Sequence, residues 1–138
     1  MSEIILSWPD KRLSPNARGH WALKAKAASS YRREGYIAAK ASGVVVDWGG
    51  LVCVSLYFYP PDRRVRDDDN LVSALKSARD GIADALSVND SRFLTLPPNM
   101  MTEVVKGGKV AVVLRQADGA VESMLKQFRG GATTRRFA

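Results

Sequence analysis

A chain of 138 residues with 46% apolar and 25% charged residues is long enough for one domain with a single hydrophobic core and short for two. Its formal charge of +7 gives the folded surface a positive field, which favours polyanions such as nucleic acid as partners. No apolar run reaches the roughly 18 residues of a membrane span, and no secretion signal opens the chain. We therefore predict a cytoplasmic protein with no membrane partner, in a reducing compartment that suits the lone Cys53.

The first third of the chain predicts a strand, a basic loop and a long helix. A short apolar run predicts a first strand from Glu3 to Ser7. The loop that follows carries three basic residues, Lys11, Arg12 and Arg18. A helical period then runs from about His20 to Ala41, although Gly35 weakens it. We expect His20, the only histidine, to be structural.

The middle of the chain holds the clearest strand and the clearest helix. Leu51 to Tyr59 is rich in β-branched and aromatic residues, so we predict a central strand that a proline pair ends. Apolar residues at three- and four-residue intervals predict a helix from about Asn70 to Leu86, despite Gly81. Asp69 or Asn70 can cap its start.

The last third predicts short strands and a hairpin. Arg92 to Leu96 and Thr102 to Lys106 have an extended pattern, and Gly107-Gly108 favours a two-residue turn into Lys109 to Arg115. The elements together predict one two-layer α+β domain over residues 1–118, with a mixed β-sheet and helices packed on it. For residues 119–138 we predict an extension, with a short helix at Val121 to Phe128 and then a mobile basic tail.

The segment from Pro60 to Leu71 sets three arginines against three adjacent aspartates. In an extended segment alternate side chains share a face, so Asp67 and Asp69 should point the same way. Crowded carboxylates repel one another, and arginine suits phosphate, so a divalent cation bridging carboxylate and phosphate would satisfy both. The plain alternative is that these aspartates cap the helix and form surface ion pairs worth at most about 1 kcal/mol each.

Asp90 is the next acidic candidate, but spacing alone leaves its position open. It follows a predicted helix that is roughly 25 Å long at about 1.5 Å per residue. It can therefore join the earlier aspartates only where the chain doubles back. Glycine-rich phosphate loops and nucleophile motifs are absent from the sequence, which disfavours other phosphoryl-transfer and triad chemistry.

Three motifs resemble one known family. The run from Pro61 to Leu71, then Asp84-Ala85-Leu86, then Val88-Asn89-Asp90, is similar to the RusA-type Holliday-junction resolvases, which are metal-dependent endonucleases of prophage and bacterial recombination. Leu6-Ser7-Trp8-Pro9 resembles the family's opening more loosely. The likeness spans nearly the whole domain. It implies a RusA-like fold and a homodimer with one acidic metal site per subunit.

The resemblance also implies roles for individual residues. Three aspartates would hold Mg²⁺, or Mn²⁺ in its place: Asp67, Asp69 and Asp90. Arg66 matches the basic residue before the aspartate pair. The sequence departs from the family at Ser73, where a lysine is common. Lys76 lies about one turn further along and is expected to reach the same phosphate.

The implied activity is symmetric paired nicking of a four-way DNA junction. Arg66 and Lys76 would stabilise charge on the phosphate. The predicted DNA contacts are Arg63, Arg64, Arg66, Lys11, Arg12 and Arg18. Two alternatives remain: a basic DNA-binding module without catalysis, and a metal-dependent nuclease for other branched DNA. We expect the three tryptophans to be core or dimer-interface residues: Trp8, Trp21 and Trp48.

Overall fold

A computed structural model describes residues 3–119 and Ser123. The described residues form one small α+β domain, as predicted, in which helices pack on a mixed sheet. The strands are β1 (Ile4–Ser7), β2 (Val52–Tyr59), β3 (Phe93–Thr95), β4 (Asn99–Met100) and β5 (Lys109–Gln116). The helices are α1 (Trp21–Ser42), α2 (Asp68–Ala74) and α3 (Lys76–Leu86). The predicted helix from Val121 to Phe128 and the basic tail lie, apart from Ser123, outside the described residues.

β2 lies inside the sheet, as its composition predicts. The strand order is β1-β5-β2-β3, and β4 also pairs with β2. β5 is antiparallel to both β1 and β2, whereas β3 and β4 are parallel to β2. Alternate residues of β2 fill the core beneath the helices: Val52, Val54, Leu56 and Phe58. Cys53 is buried as well.

The predicted hairpin is wrong, although its turn is present. Gly107 and Gly108 both have positive φ, 78° and 72°, which glycine adopts without strain. Thr102 to Lys106, however, forms no strand; β5 pairs along its whole length with β2 and along half of it with β1. These longer pairings leave no room for the hairpin partner.

Two glycines that weaken the helical pattern allow α1 and α3 to pack closely. A Cβ added at Gly35 would lie 2.2 Å from the carbonyl oxygen of Ala78, and one at Gly81 would lie 1.9 Å from that of Arg32. Side chains are therefore excluded from both positions because the two backbones almost touch. Gly35 and Gly81 are locally unfavourable for a helix, but the crossing of α1 and α3 requires them.

α1 is also tied to the end of β1. The buried Tyr31 hydroxyl donates to the Ser7 carbonyl oxygen at 2.7 Å, and burial raises the pKa of that phenol. The Glu34 carboxylate accepts from both the backbone N–H and the hydroxyl of Ser7, at 2.6 and 2.7 Å. These bonds hold the start of the basic loop against α1. Among the described residues no helix is both long and apolar enough to cross a membrane.

A single long helix was predicted between β2 and β3, but two are present. α2 begins at Asp68, two residues before the predicted start, and Leu75 separates it from α3. α2 and α3 connect the parallel strands β2 and β3, with Val52 opposite Phe93. Such a crossover returns the chain to the opposite end of the sheet. Residues that follow β2 and residues that precede β3 therefore lie at opposite ends.

Candidate functional site

The basic loop and the arginine segment come together at one end of the sheet, which we call the arginine end (residues 8–14 and 60–70). Register explains this: Ser7 at the end of β1 pairs with Lys109, which in turn pairs with Tyr59 at the end of β2. Both segments therefore leave the sheet side by side. The short 3₁₀ turn Lys11–Leu13 contacts α2 directly.

A groove of about 500 Å³ runs across the arginine end. Its polar lining comes from both segments and from the start of α2: Asp10, Lys11, Asp62, Arg64, Arg66 and Asp67. The fold thus places three predicted DNA contacts, Lys11, Arg64 and Arg66, in one groove with a predicted metal ligand, Asp67. Of the other predicted contacts, Arg63 and Arg18 are exposed, and Arg12 pairs with Asp10 at 2.8 Å.

Arg66 holds the arginine segment in shape. Its Nη2 donates to Asp62 at 2.7 Å, and its Nη1 donates to the carbonyl oxygens of Asp62 and Arg64 at 3.2 and 3.0 Å. The guanidinium also lies over the Trp8 ring, 5.3 Å from its centre. Only 18% of the Arg66 side chain is exposed. Its N–H donors bond to the loop itself, so Arg66 organises that loop.

Two carboxylates at the arginine end are held ionised by arginines. Hydrogen bonds from the Arg64 backbone and then from Arg66 lower the pKa of Asp62 to about 2. Hydrogen bonds from the side chain and backbone of Arg12 lower the pKa of Asp10 to about 2. The remaining carboxylates of this end, on Asp67, Asp68 and Asp69, are exposed.

The three adjacent aspartates open α2. Asp67 is the N-cap, and its Oδ1 accepts from the Asn70 N–H at 3.2 Å; Asp68 and Asp69 occupy the first turn, where the helix dipole favours negative charge. The argument from strand alternation therefore fails, because Asp68 and Asp69 are helical rather than extended. Helix capping and metal binding are both compatible with this geometry, since capping uses one of the two carboxylate oxygens of Asp67.

Asp90 lies at the opposite end of the sheet, which we call the Asp90 end (Arg32, Asp80, Asp84, Asn89 and Asp90). These side chains line a groove of about 330 Å³. Arg32 pairs with Asp84 at 2.7 Å, and Asp84, with smaller contributions from Asp80 and Asp90, raises the pKa of its guanidinium. Arg92 follows Asp90 and bonds to the carbonyl oxygens of Gly50, at 2.7 Å, and Trp48, which fixes this turn beside the start of β2.

One chain does not bring Asp90 to Asp67 and Asp69. β2 alone has eight residues, or about 23 Å at 3.3 Å per step, and the two ends lie beyond its two termini. The grooves at the two ends share no lining residue. Within residues 3–119 and Ser123, no group of three or more His, Cys, Asp or Glu side chains could hold a metal ion. A three-aspartate site inside one protomer, which we expected, is therefore not formed.

Lys76, which we expected to replace the lysine common at position 73 in the family, is paired within its own helix in this structure. Its ammonium lies 3.3 Å from Asp80, one helical turn further from Asp67. Ser73 and Lys76 instead line an apolar cleft of about 210 Å³ between the α2–α3 segment and the sheet.

The tryptophans divide into two kinds. Trp8 packs edge-on against Phe58 with ring centres 5.9 Å apart, and the Trp48 Nε1–H donates to the Leu51 carbonyl oxygen at 3.1 Å, so both serve packing as predicted. Trp21 is 76% exposed, which excludes a place in the core of this chain. The other part of the expectation, a place in a dimer interface, stays a prediction.

Fold and site define a small α+β domain with a mixed basic and acidic groove at one sheet end. No known protein-family model matches the chain. It is 39% identical over 121 residues to an uncharacterised protein of Xylella fastidiosa, strain Temecula1, covering 83% of this chain and 76% of that protein. The chain belongs to the same family as that protein.

Proposed function

We propose that this protein is a Mg²⁺-dependent, structure-selective DNA endonuclease of the RusA type, which resolves four-way junctions as a cytoplasmic homodimer. The observation that supports this most is the groove of the arginine end, where Lys11, Arg64 and Asp67 lie together. Cations that suit phosphate beside carboxylates that suit a divalent metal are the combination that phosphodiester cleavage needs. The motif resemblance adds the choice of a branched DNA substrate.

The donor set of the arginine end fits a magnesium ion in part. Mg²⁺ commonly binds through one or two carboxylates, several waters and the phosphates of its substrate. Asp67 and Asp69 can supply the two carboxylates. When bound, the ion would activate a water and neutralise charge on the scissile phosphate. Manganese(II) takes the same oxygen ligands.

The chain's own residues have distinct tasks in this proposal. Lys11, Arg63 and Arg64 bind the DNA backbone, where Lys and Arg contacts position the nucleic acid. Arg66 is a positioning residue, because its bonds to Asp62 set the course of the loop that carries Arg63 and Arg64. Asp67 and Asp69 would hold the metal ion from the N-terminal end of α2.

The position of Asp90 determines how the two protomers of the proposed homodimer would be arranged. In a two-fold dimer with the protomers side by side and reversed, the arginine end of one protomer faces the Asp90 end of the other. Asp90 of the partner subunit would then complete the carboxylate set begun by Asp67 and Asp69. Two such composite sites related by a two-fold axis would match the approximate symmetry of a four-way junction.

Mixing two inactive variants tests this arrangement. Asp69→Asn and Asp90→Asn should each abolish cleavage of a labelled four-way junction in Mg²⁺ while leaving binding in EDTA largely intact. In a mixed dimer with composite sites, one site loses both aspartates and the other keeps both. An equimolar mixture, after subunit exchange, should therefore recover roughly a quarter of wild-type single-strand nicking.

Three other outcomes are informative. If each site lay within one chain, the mixture would stay inactive, and the composite dimer would be wrong. Full activity of Asp69→Asn would remove the metal role. Asp68→Asn, which changes the neighbouring carboxylate, is the matched control and should retain cleavage.

A DNA-binding module without catalysis is the second candidate, and one observation favours it: Asp67 already caps α2, as a purely structural aspartate would. The wild-type protein should be incubated with Mg²⁺ and a junction, a linear duplex or a single strand. Binding without cleavage of any substrate would support the module. Cleavage without preference for the junction would instead indicate a nuclease for other branched DNA.

A further inference from the structure

The first turn of α1 presents an aromatic surface to solvent. Trp21 is 76% exposed, and its ring is stacked on that of His20, with ring centres 5.9 Å apart and an angle of 24° between the planes. Exposed aromatic side chains beside basic residues are the groups on which nucleic-acid bases stack. Neither ring lines the groove of the arginine end, and the fold uses the His20 ring as the cap of α1.

Both rings are attached to a rigid element. His20 is the N-cap of α1, and its Nδ1 accepts from the Ala22 N–H at 3.1 Å, which fixes the orientation of the imidazole. Trp21 is the first residue of a 22-residue helix whose backbone is anchored through Tyr31 and Glu34. A ring held in this way loses little conformational freedom when it stacks on a ligand.

The surrounding sequence has one sign of charge. Residues 11–33 contain seven Lys and Arg and no Asp or Glu. Arg12 and Arg32 form ion pairs with Asp10 and Asp84. Lys24 lies one turn from Trp21, with its Nζ 3.3 Å from the Ser14 carbonyl oxygen, and Arg18 is exposed on the adjoining loop. The aromatic surface is therefore set in a positive field.

We propose that Trp21, backed by His20, is a stacking platform for an unpaired base of single-stranded DNA whose phosphates lie along Arg18 and Lys24. Aromatic platforms beside basic side chains are the general means of binding single strands without sequence preference. A second copy of this chain is a poor occupant, because two such basic surfaces would repel across a two-fold contact. The inference rests on the proposed function only for DNA as the ligand, since binding here needs no cleavage.

The test is equilibrium binding of a labelled oligothymidine, measured in EDTA by fluorescence anisotropy. Trp21→Ala should weaken binding by about 5- to 150-fold, the loss expected for one stacked base, and Trp21→Phe should fall in between. Leu23→Ala is the matched control, because Leu23 is also exposed on α1 but has no aromatic face. It should bind like the wild type, and all variants should show the wild-type unfolding midpoint.

A strand of the same length made of abasic sites separates stacking from charge. On that strand Trp21→Ala and wild type should bind equally, whereas Lys24→Gln should weaken binding to both strands. Equal affinity of Trp21→Ala and Leu23→Ala for oligothymidine would overturn the platform. So would a Trp21→Ala protein with an altered sedimentation coefficient, because Trp21 would then lie in a contact between copies. If the protein proves not to cleave, loss of oligothymidine binding in Trp21→Ala still supports the platform.

Discussion

The two ends of the sheet hold the same kinds of side chain in different arrangements. At the arginine end, Asp62 is bonded to two arginines, and Asp67 to Asp69 open a helix. At the Asp90 end, three aspartates line a groove around Arg32. At the arginine end, cations pair with carboxylates, and both kinds of side chain are still exposed. The Asp90 end has an excess of carboxylates.

The contrast shows that an acidic motif does not define a site until its surroundings are known. Asp67 and Asp90 belong to one sequence pattern, yet a parallel crossover separates them by the length of the sheet. In the proposed function, the arginine end supplies cations for phosphate, and the Asp90 end supplies a carboxylate that the metal site at the arginine end would need. Each end is incomplete without the other, so assembly of two chains becomes part of the functional hypothesis.

The largest expected effect concerns the helix crossing that keeps the two ends apart. Gly81→Ala should lower the free energy of unfolding by about 2 kcal/mol or more, because its Cβ would lie 1.9 Å from the Arg32 carbonyl oxygen. Gly49→Ala is the control, since nothing lies within 4 Å of a Cβ there. Urea unfolding measures both, and equal stability of the two variants would contradict the close crossing.

A smaller effect should appear in the salt dependence of DNA binding. It should distinguish the arginine end from the Asp90 end, because the two ends differ in charge. Arg63→Gln and Lys11→Gln should each reduce the slope of log affinity against log salt by about 1, as the loss of one phosphate contact does. Lys40→Gln, in the last turn of α1 away from the arginine end, should leave the slope unchanged. The measurement is junction binding in EDTA over a range of salt concentrations. A uniform change in all three variants would mean that binding is not localised at the arginine end.

The pKa of Asp62 should depend on the loop at the arginine end and not on the Asp90 end. Its pKa of about 2 lies below the ordinary value of 3.8, so its interactions stabilise the fold above about pH 4 and are lost as the pH falls towards 2. Arg66→Met should raise this pKa part of the way, because the Arg64 backbone bond remains. Carbon-13 NMR of the carboxyl group measures both values. Arg32→Met, at the Asp90 end, should leave the Asp62 titration unchanged.

The smallest effect is expected for Lys76. The Lys76 side chain is 69% exposed and that of Asp80 is 18% exposed, so Lys76→Met should lower the free energy of unfolding by about 1 kcal/mol at most. Its ammonium lies beside Asp80, and junction cleavage should therefore stay within about twofold of wild type if the side chain takes no part in the reaction. A large loss of cleavage with unchanged stability would show that Lys76 moves to the phosphate when DNA binds.

Several features could be predicted from local sequence because they depend on neighbouring residues. The β-branched run of β2, the helical period of α1 and the turn at Gly107-Gly108 all appear where expected. The meeting of the basic loop with the arginine segment was not predicted from spacing. It follows from the register of β1, β5 and β2, which joins residues about fifty and one hundred positions apart.

Local residue chemistry thus specified β2, α1 and the types of side chain that the proposed function needs for phosphate and metal. Long-range packing settled where those side chains lie: Asp90 apart from Asp67, Arg66 inside its loop, and Trp21 in solvent. The physical reason is that strand pairing and helix crossing bring together residues distant in the chain. Propensities and spacing contain little information about such contacts.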